Sequence, residues 1–276
     1  MTSHDVVNVL RRILGERRIG HSGTLDPDAT GVLLCGVGSV TRVLRYLTDL
    51  PKTYTGEVVL GTDTSTLDAS GEVVATYAME PVSVGAARVA ACALTGDILQ
   101  VPPMVSALKV DGRRLHELAR EGIDVERVAR PVTVHRFDVR STADPGVLAI
   151  EVQCSSGTYV RTLAQDLGHA LGGGAHLRNL RRTAIGSFTT VGGGVSPLDD
   201  VRLLEPAAAL RNYASVTVDA EMVALVQHGR VLPLAPRFVG EGPWAVLGPD
   251  GALVAVYERH GDAAKPSVVL SDATAN

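Results

Sequence analysis

The sequence predicts an α+β fold: a mainly antiparallel, mixed sheet flanked by helices, with a small β-rich unit behind it. Three observations carry that expectation. Short runs alternate apolar and polar residues, the runs come in pairs joined by turn residues, and no regular βαβα order emerges between them. The chain of 276 residues is 45% hydrophobic and 20% charged, which suits one large domain with an appendage and is too apolar for disorder.

Thr2 and Asp5 form a capping box, and Val6, Val9, Leu10, Ile13 and Leu14 follow at helical spacing, so an amphipathic helix comes first. GVLLCGVG (31–38) is an apolar run bounded by glycine and reads as a buried strand. SVTRVLRYL (39–47) reads as a helix capped by Ser39. KTYTGEVVLG (52–61) alternates, with Tyr54, Val58 and Leu60 on one face and Thr55, Glu57 and Val59 on the other. The polar stretch TDTSTLDASG (62–71) connects it to a second strand in GEVVATYA (71–78). SVGAARVAACALTG (83–96) is a capped helix that stops at glycine.

From Asp97 to Arg130 the texture changes to prolines and tightly mixed charges, which reads as a helical excursion away from the core. PVTVHRFDVR (131–140) and GVLAIEVQCSSG (146–157) return as a strand pair, followed by a helix in TYVRTLAQDLGHALG (158–172). Near Ser215 a fresh start brings a strand, a helix ending at Gly229, and strands at Trp244–Leu247, Leu253–Tyr257 and Val268–Leu270. The expected division is therefore a first domain over 1–212, with the excursion near 97–130, and a second over 213–276.

Net charge is −4, which argues mildly against a nucleic-acid partner, but the average hides a local excess. Between Ser155 and Ser187 the four arginines 161, 178, 181 and 182 face one acid, Asp166. Lysine occurs only at Lys52, Lys109 and Lys265, so arginine carries the positive charge, and its planar fork suits phosphate and carboxylate. Cys35, Cys92 and Cys154 are far apart in apolar runs, which points to core thiols in a reducing cytoplasm, not to a metal site or disulfides. No apolar run reaches the length of a membrane span and no secretory leader is evident, so a cytoplasmic protein without a membrane partner is expected.

The stretch GHSGTLDPDATG (20–31) invites three readings of Asp26. As Asp-x-Asp-x-Thr it matches a phosphotransferase motif, but the first aspartate should then end an apolar parallel strand, and a loop precedes it here. As a helix cap it would be followed by Pro27 at the first helical position. As a loop carboxylate it would face a substrate. GVGSVT (36–41) lacks the third glycine and the lysine of a nucleotide loop.

Other stretches decide among these. GHSGTLDPDATGVL, KTYTGEVVLG with TDTSTLDASG behind it, VPPMVSALKVDGRRLHELAREG, CSSGTYVRTLAQDLG and GGGAHLRNLRRTAIGSF together resemble, in order and spacing, the TruB family of tRNA pseudouridine synthases. The resemblance covers roughly residues 1 to 190. The C-terminal region resembles the family's PUA-like RNA-binding appendage only weakly.

The resemblance implies a pseudouridine-synthase fold and isomerisation of the T-loop uridine, conventionally position 55, of tRNA, with no cofactor and no metal. The partner implied is the T-arm stem-loop, with no obligate protein partner. Asp26 matches the catalytic aspartate, Arg161 the arginine that keeps it charged, and Tyr54 the tyrosine that stacks on the uracil. His21 matches the histidine that fills the space left by a flipped base, and Leu180 a residue of the pocket floor. Arg178, Arg181 and Arg182 are expected at RNA phosphates. The excursion matches the family's thumb, where Lys109, Arg113 and Arg114 are the candidate contacts.

One departure is visible. The family carries a strand and a Lys-Pro-x-Gly turn before the equivalent of MTSHDVV, so the resemblance leads us to expect a missing strand and an uncovered neighbouring edge. A rival function is RNA binding or tRNA folding without catalysis, against which Asp26, Tyr54 and Arg161 all stand.

Overall fold

The computed structural model describes residues 1–106, 108–110, 112–190 and 201–270, with Lys109 and His116 described by their backbone alone. In chain order the elements are α1 (Ser3–Leu14), β1 (Ile19–His21), β2 (Thr30–Gly31), β3 (Cys35–Val37), a 3-10 turn (Gly38–Val43) and α2 (Leu44–Asp49). There follow β4 (Lys52–Leu60), β5 (Thr62–Thr64), β6 (Val73–Thr76), α3 (Val84–Ala93), β7 (Gly96–Gln100), β8 (Lys109–Val110), β9 (Arg113–Arg114) and α4 (Leu115–Arg120). Next come β10 (Arg130–Ser141), β11 (Val147–Cys154), α5 (Val160–Ala170), β12 (Ala175–Ile185), β13 (Phe188–Thr189) and α6 (Pro206–Ala209). The last are β14 (Ala214–Thr217), α7 (Ala220–Gln227), β15 (Leu232–Pro233), β16 (Trp244–Leu247), β17 (Leu253–His260) and β18 (Ala263–Val269).

These elements form two compact units, one of residues 1–27, 33–49 and 186–276, the other of residues 28–32 and 50–185. In the second unit β12, β4, β11, β10 and β7 lie in that order, all antiparallel, and β2 joins β12 in parallel. The alternation read in the sequence sets one buried face: Val58, Leu148, Ile150 and Val152 share a core with Ala87, Ala90 and Ala91 of α3 and Leu163, Ala164 and Leu167 of α5. Full burial of a leucine contributes about 2 kcal/mol, so these two helices are held chiefly through that face. Tyr54, Leu60 and Leu180 pack at its margin.

In the first unit β14, β16, β17, β18 and β15 form one sheet around Trp244, Phe238 and Tyr257, whose rings meet at 5.2 and 5.6 Å. A further core joins Val43 and Tyr46 to Leu210, Ala245, Val256, Val268 and Leu270. The Tyr46 hydroxyl donates to Glu258 at 2.6 Å, Arg42 donates to the Val269 carbonyl at 2.7 Å, and the Tyr213 hydroxyl donates to the Tyr46 carbonyl at 2.6 Å. The units therefore divide the chain differently from the expected 1–212 and 213–276. Val43 and Tyr46 pack on the C-terminal strands.

Several local expectations are corrected. Residues 31–38 are not one buried strand: β2 and β3 belong to different sheets. The segment after it begins as a 3-10 turn, and the residue before that turn, Val37, makes no side-chain cap, so Ser39 is not its cap. Gly96 does not close the helix directly but opens β7, an edge strand paired with β10, so the excursion starts after Gln100. It is only partly helical: β8 and β9 pair antiparallel, and α4 spans six residues. On α1 the buried residues are Ser3, Val7 and Leu10, while Ile13 is exposed, a face rotated from the one expected. Cys154 is buried and Cys35 half-buried, with both thiols pushed up to about 11 by burial; Cys92, behind the alanine face of α3, is exposed.

Candidate active site

Pro27 and Asp28 form a turn that leads into β2, so Asp26 does not cap a helix. It is half-buried in an irregular segment, residues 22–26, that leaves the β1–β3 pair. His21 ends β1 opposite Cys35, and its Nδ1 accepts from the Gly23 amide at 3.3 Å. The Ser22 amide donates to the Leu34 carbonyl at 3.0 Å, and the Leu25 amide donates to Ser3 Oγ at 2.9 Å. The division between the units falls inside the motif, after Pro27. On the far side Gly31 runs along β12, with φ +106°, where an added Cβ would lie 2.0 Å from the Arg182 carbonyl oxygen. Only glycine fits there.

Tyr54, Arg161 and Leu180 belong to the second unit. Tyr54 sits on β4 between Val152 of β11 and Arg182 of β12. Leu180 lies in a bulge of β12, where Asn179 and Leu180 together oppose Gly56, and Asn179 takes φ +54°. That bulge re-aims β12 beside the margin where Tyr54 packs.

Arg161 is the second residue of α5 and is 4% exposed. Its Nη1 donates to the Thr66 carbonyl at 2.9 Å and lies 3.6 Å from Asp68 Oδ2, and its Nη2 donates to the Val105 carbonyl at 3.0 Å. A guanidinium buried to that degree is tolerable only with such partners. Asp68 is itself fixed by Thr66 Oγ1 at 2.6 Å and by the Ser70 amide at 3.1 Å. The connection is anchored at its start by buried Asp63, which accepts from the Tyr77 hydroxyl at 3.0 Å and the Ala175 amide at 3.0 Å. That bond to Asp63 raises the Tyr77 hydroxyl above its ordinary pKa. At the helix start, Gln100 is 2% exposed: its Oε1 accepts from the Tyr159 amide at 2.7 Å and its Nε2 donates to the Tyr159 carbonyl at 3.1 Å.

The expected phosphate contacts fare unequally. Arg182 is 1% exposed, and its Nε donates to the Val32 carbonyl at 2.8 Å, so it is an interior residue and not a surface phosphate contact. Its position next to the β2 pairing turns it inward. Arg181 is exposed, with Nη1 3.2 Å from Thr30 Oγ1. Arg178 pairs with Glu57 at 2.6 Å, which offsets its charge. Arg113 and Arg114 are exposed on β9, Arg113 paired with Glu121 and the Arg114 amide donating to Glu117. Lys109 lies opposite Arg114 on β8, and its side chain is outside what the structure describes.

The sequence carries family signatures along most of its length. The family described as "TruB family pseudouridylate synthase (N terminal domain)" matches residues 11–160. The "tRNA pseudouridylate synthase B C-terminal domain" matches 161–204, and "tRNA Pseudouridine synthase II, C terminal" matches 213–271. The chain belongs to the TruB family of pseudouridylate synthases. Among its relatives, the tRNA pseudouridine synthase B of Arthrobacter sp. (strain FB24) is 43% identical over 98% of this chain and 93% of its own. That of Nocardia farcinica (strain IFM 10152) is 46% identical over 98% and 90%. A chain of a Cbf5-Nop10-Gar1 complex shares the fold, with a TM-score of 0.74 at 24% identity over 98% of this chain and 81% of that one. The TruB-family chain is thus a pseudouridine synthase, an isomerase of uridine in tRNA.

Within this TruB-family fold, reading the sequence missed Ser3, Asp68 and Gln100, whose side chains hold Leu25, Arg161 and Tyr159. Asp68 had a signal, an acid in the stretch TDTSTLDASG; Gln100 and Ser3 had none, because their partners are backbone groups. Among the described residues no group of three or more histidines, cysteines, aspartates and glutamates could hold a metal ion. A cavity of about 270 Å3 opens on the sheet face opposite Tyr54, lined by Thr55, Glu57, Arg140, Glu151 and Asn179. Its charged side chains are paired, Glu57 with Arg178 and Glu151 with Arg136 and Arg140. No helix among the described residues is long and apolar enough to cross a membrane.

Proposed function

We propose that this chain converts the T-loop uridine at position 55 of tRNA to pseudouridine, with Asp26, Tyr54 and Arg161 as its catalytic residues and without a cofactor. The observation that carries the reading is that Asp26 is a half-buried loop carboxylate and not a helix cap, in a chain whose residues 11–204 and 213–271 match the family. Breaking the N1–C1′ bond develops positive charge on the sugar, which an ionised carboxylate stabilises or traps. A dehydrated carboxylate tends to take up a proton, and a fixed guanidinium opposes that. Arg161, held by Asp68 and two carbonyls, is rigid enough to serve. The uridine must leave its stack before it can react, and Tyr54 then offers an aromatic surface, with Leu180 at its floor and His21 filling the vacated space. Arg113, Arg114, Arg178 and Arg181 supply phosphate contacts, and the cytoplasm is the compartment.

The test is tritium release from a T-arm hairpin labelled at uracil C5, in EDTA and with no added cofactor. Wild type releases tritium, and Asp26→Asn binds the hairpin but is slower by about a thousandfold or more. Equal release by the two overturns the assignment of Asp26. Binding without release by wild type favours an RNA-binding protein over an enzyme.

A further inference from the structure

The segment that carries Asp26 has neither a helix nor a strand to hold it, and its chemistry depends on where one carboxylate sits. Ser3 supplies a hold on the adjoining residue. Its Oγ accepts from the Leu25 amide at 2.9 Å and donates to the Leu25 carbonyl at 3.3 Å, the first bond being the stronger. One hydroxyl thus takes both backbone groups of the residue immediately before Asp26.

Position 3 is on the buried face of α1 with Val7 and Leu10, and Ser3 is 5% exposed. Packing alone would favour an apolar residue there, since a buried hydroxyl without partners costs about 1–3 kcal/mol. The helix is also fixed against sliding. Thr2 and Asp5 close a capping box, with the Thr2 amide on Asp5 Oδ2 at 2.8 Å and the Asp5 amide on Thr2 Oγ1 at 3.2 Å. The Thr2 amide and hydroxyl, both donating to Oδ2, hold the Asp5 carboxyl below its ordinary pKa. The cap sets the first turn, the first turn sets Ser3, and Ser3 sets Leu25.

We propose that Ser3 is a positioning residue for the isomerisation, fixing the backbone of Leu25 and through it the Asp26 carboxylate. The proposal rests on the reading of Asp26 as the reacting group. Misplacement of a reacting group by about 1 Å costs about a hundredfold in rate, so partial release of the loop is visible kinetically.

The experiment is single-turnover tritium release from the labelled T-arm hairpin, with hairpin Kd measured alongside, for wild type, Ser3→Ala, Ser3→Thr, Ser3→Val and Asp26→Asn. Ser3→Ala is expected to lower the rate constant by about tenfold or more, with Kd unchanged and full amplitude. A fault of folding alone would raise the apparent Kd through the inactive fraction and leave the rate constant at saturating enzyme intact. Threonine and valine share a shape, so Ser3→Thr should turn over faster than Ser3→Val by a similar factor. Equal rates for that pair, or a wild-type rate in Ser3→Ala, overturn the proposal while Asp26→Asn remains inactive. Turnover by Asp26→Asn at the wild-type rate would instead remove the reading beneath it. If no substitution at position 3 folds, amide exchange of Leu25 in the wild type decides: protection supports the clasp, and exchange at the open-chain rate overturns it.

Discussion

Two of the side chains proposed as catalytic are held by the same device in different surroundings. Before Asp26, the backbone amide and carbonyl of Leu25 meet the single oxygen of Ser3; before Arg161, those of Tyr159 meet the two ends of the Gln100 amide. Tyr159 is the N-cap of an eleven-residue helix, whose own hydrogen bonds already fix the backbone. Leu25 lies in no element. The same local clasp therefore reinforces a scaffold in one place and substitutes for one in the other. The loop carboxylate of Asp26 is placed by a few point contacts, whereas Arg161 is placed by a helical framework as well.

The sharpest way to break this comparison acts on the arginine itself. Arg161→Lys keeps the charge but cannot reach Thr66, Asp68 and Val105 with one ammonium. Single-turnover rate should fall by about a hundredfold, and a loss of under threefold would show that charge alone suffices. Gln100→Ala tests the scaffold: it takes one partner each from the half-buried amide and carbonyl of Tyr159, the carbonyl keeping the Leu163 amide, worth about 2 kcal/mol. The melting temperature should drop by about 4–8 °C, while the rate constant falls less than in Ser3→Ala. The reverse order of rates would mean that the helix start, not the loop, is the weaker support.

A smaller effect is expected inside the motif. Ser22 is fully buried, and its Oγ finds no partner among the described residues. Ser22→Ala removes that unsatisfied group and should leave the melting temperature unchanged or slightly raised; a drop of more than about 4 °C would reveal a bond made through that hydroxyl. Thiol titration gives the least perturbing check. Cys35 and Cys154 titrate near 11, so at pH 8 they stay protonated as well as shielded, and Cys92 alone should react with a water-soluble disulfide reagent until the chain is denatured.

Much of the molecule was legible in its residues. The strand pair before α5 and the C-terminal run of strand, helix and strands follow from alternation and turn residues, because each is a local pattern. The fold class and the family followed from motifs in order. Other features depend on partners far away in sequence. Asp-Pro followed by small residues suits a helix start, but Gly31 and Arg182 pull the chain into a parallel bridge instead. On α1 the buried face includes Ser3, bonded to Leu25, beside Val7 and Leu10, and a polar residue on a buried face is not registered by a hydrophobic count. Arg182 reads like its neighbour Arg181, and only the register of β12 sends one inward and the other out. Val43 and Tyr46 look like core for the large sheet, yet their apolar partners lie some two hundred residues later.

That last pairing has a consequence for the growing chain. Residues 50–185 complete one unit by themselves, apart from a five-residue segment already made, and can fold while synthesis continues. Residues 33–49 cannot finish theirs, because Val43 and Tyr46 close on Val268 and Leu270, and Arg42 on Val269. At about 5–20 residues per second, the segment bearing Val43 and Tyr46 goes without its full core until the final strands have been made.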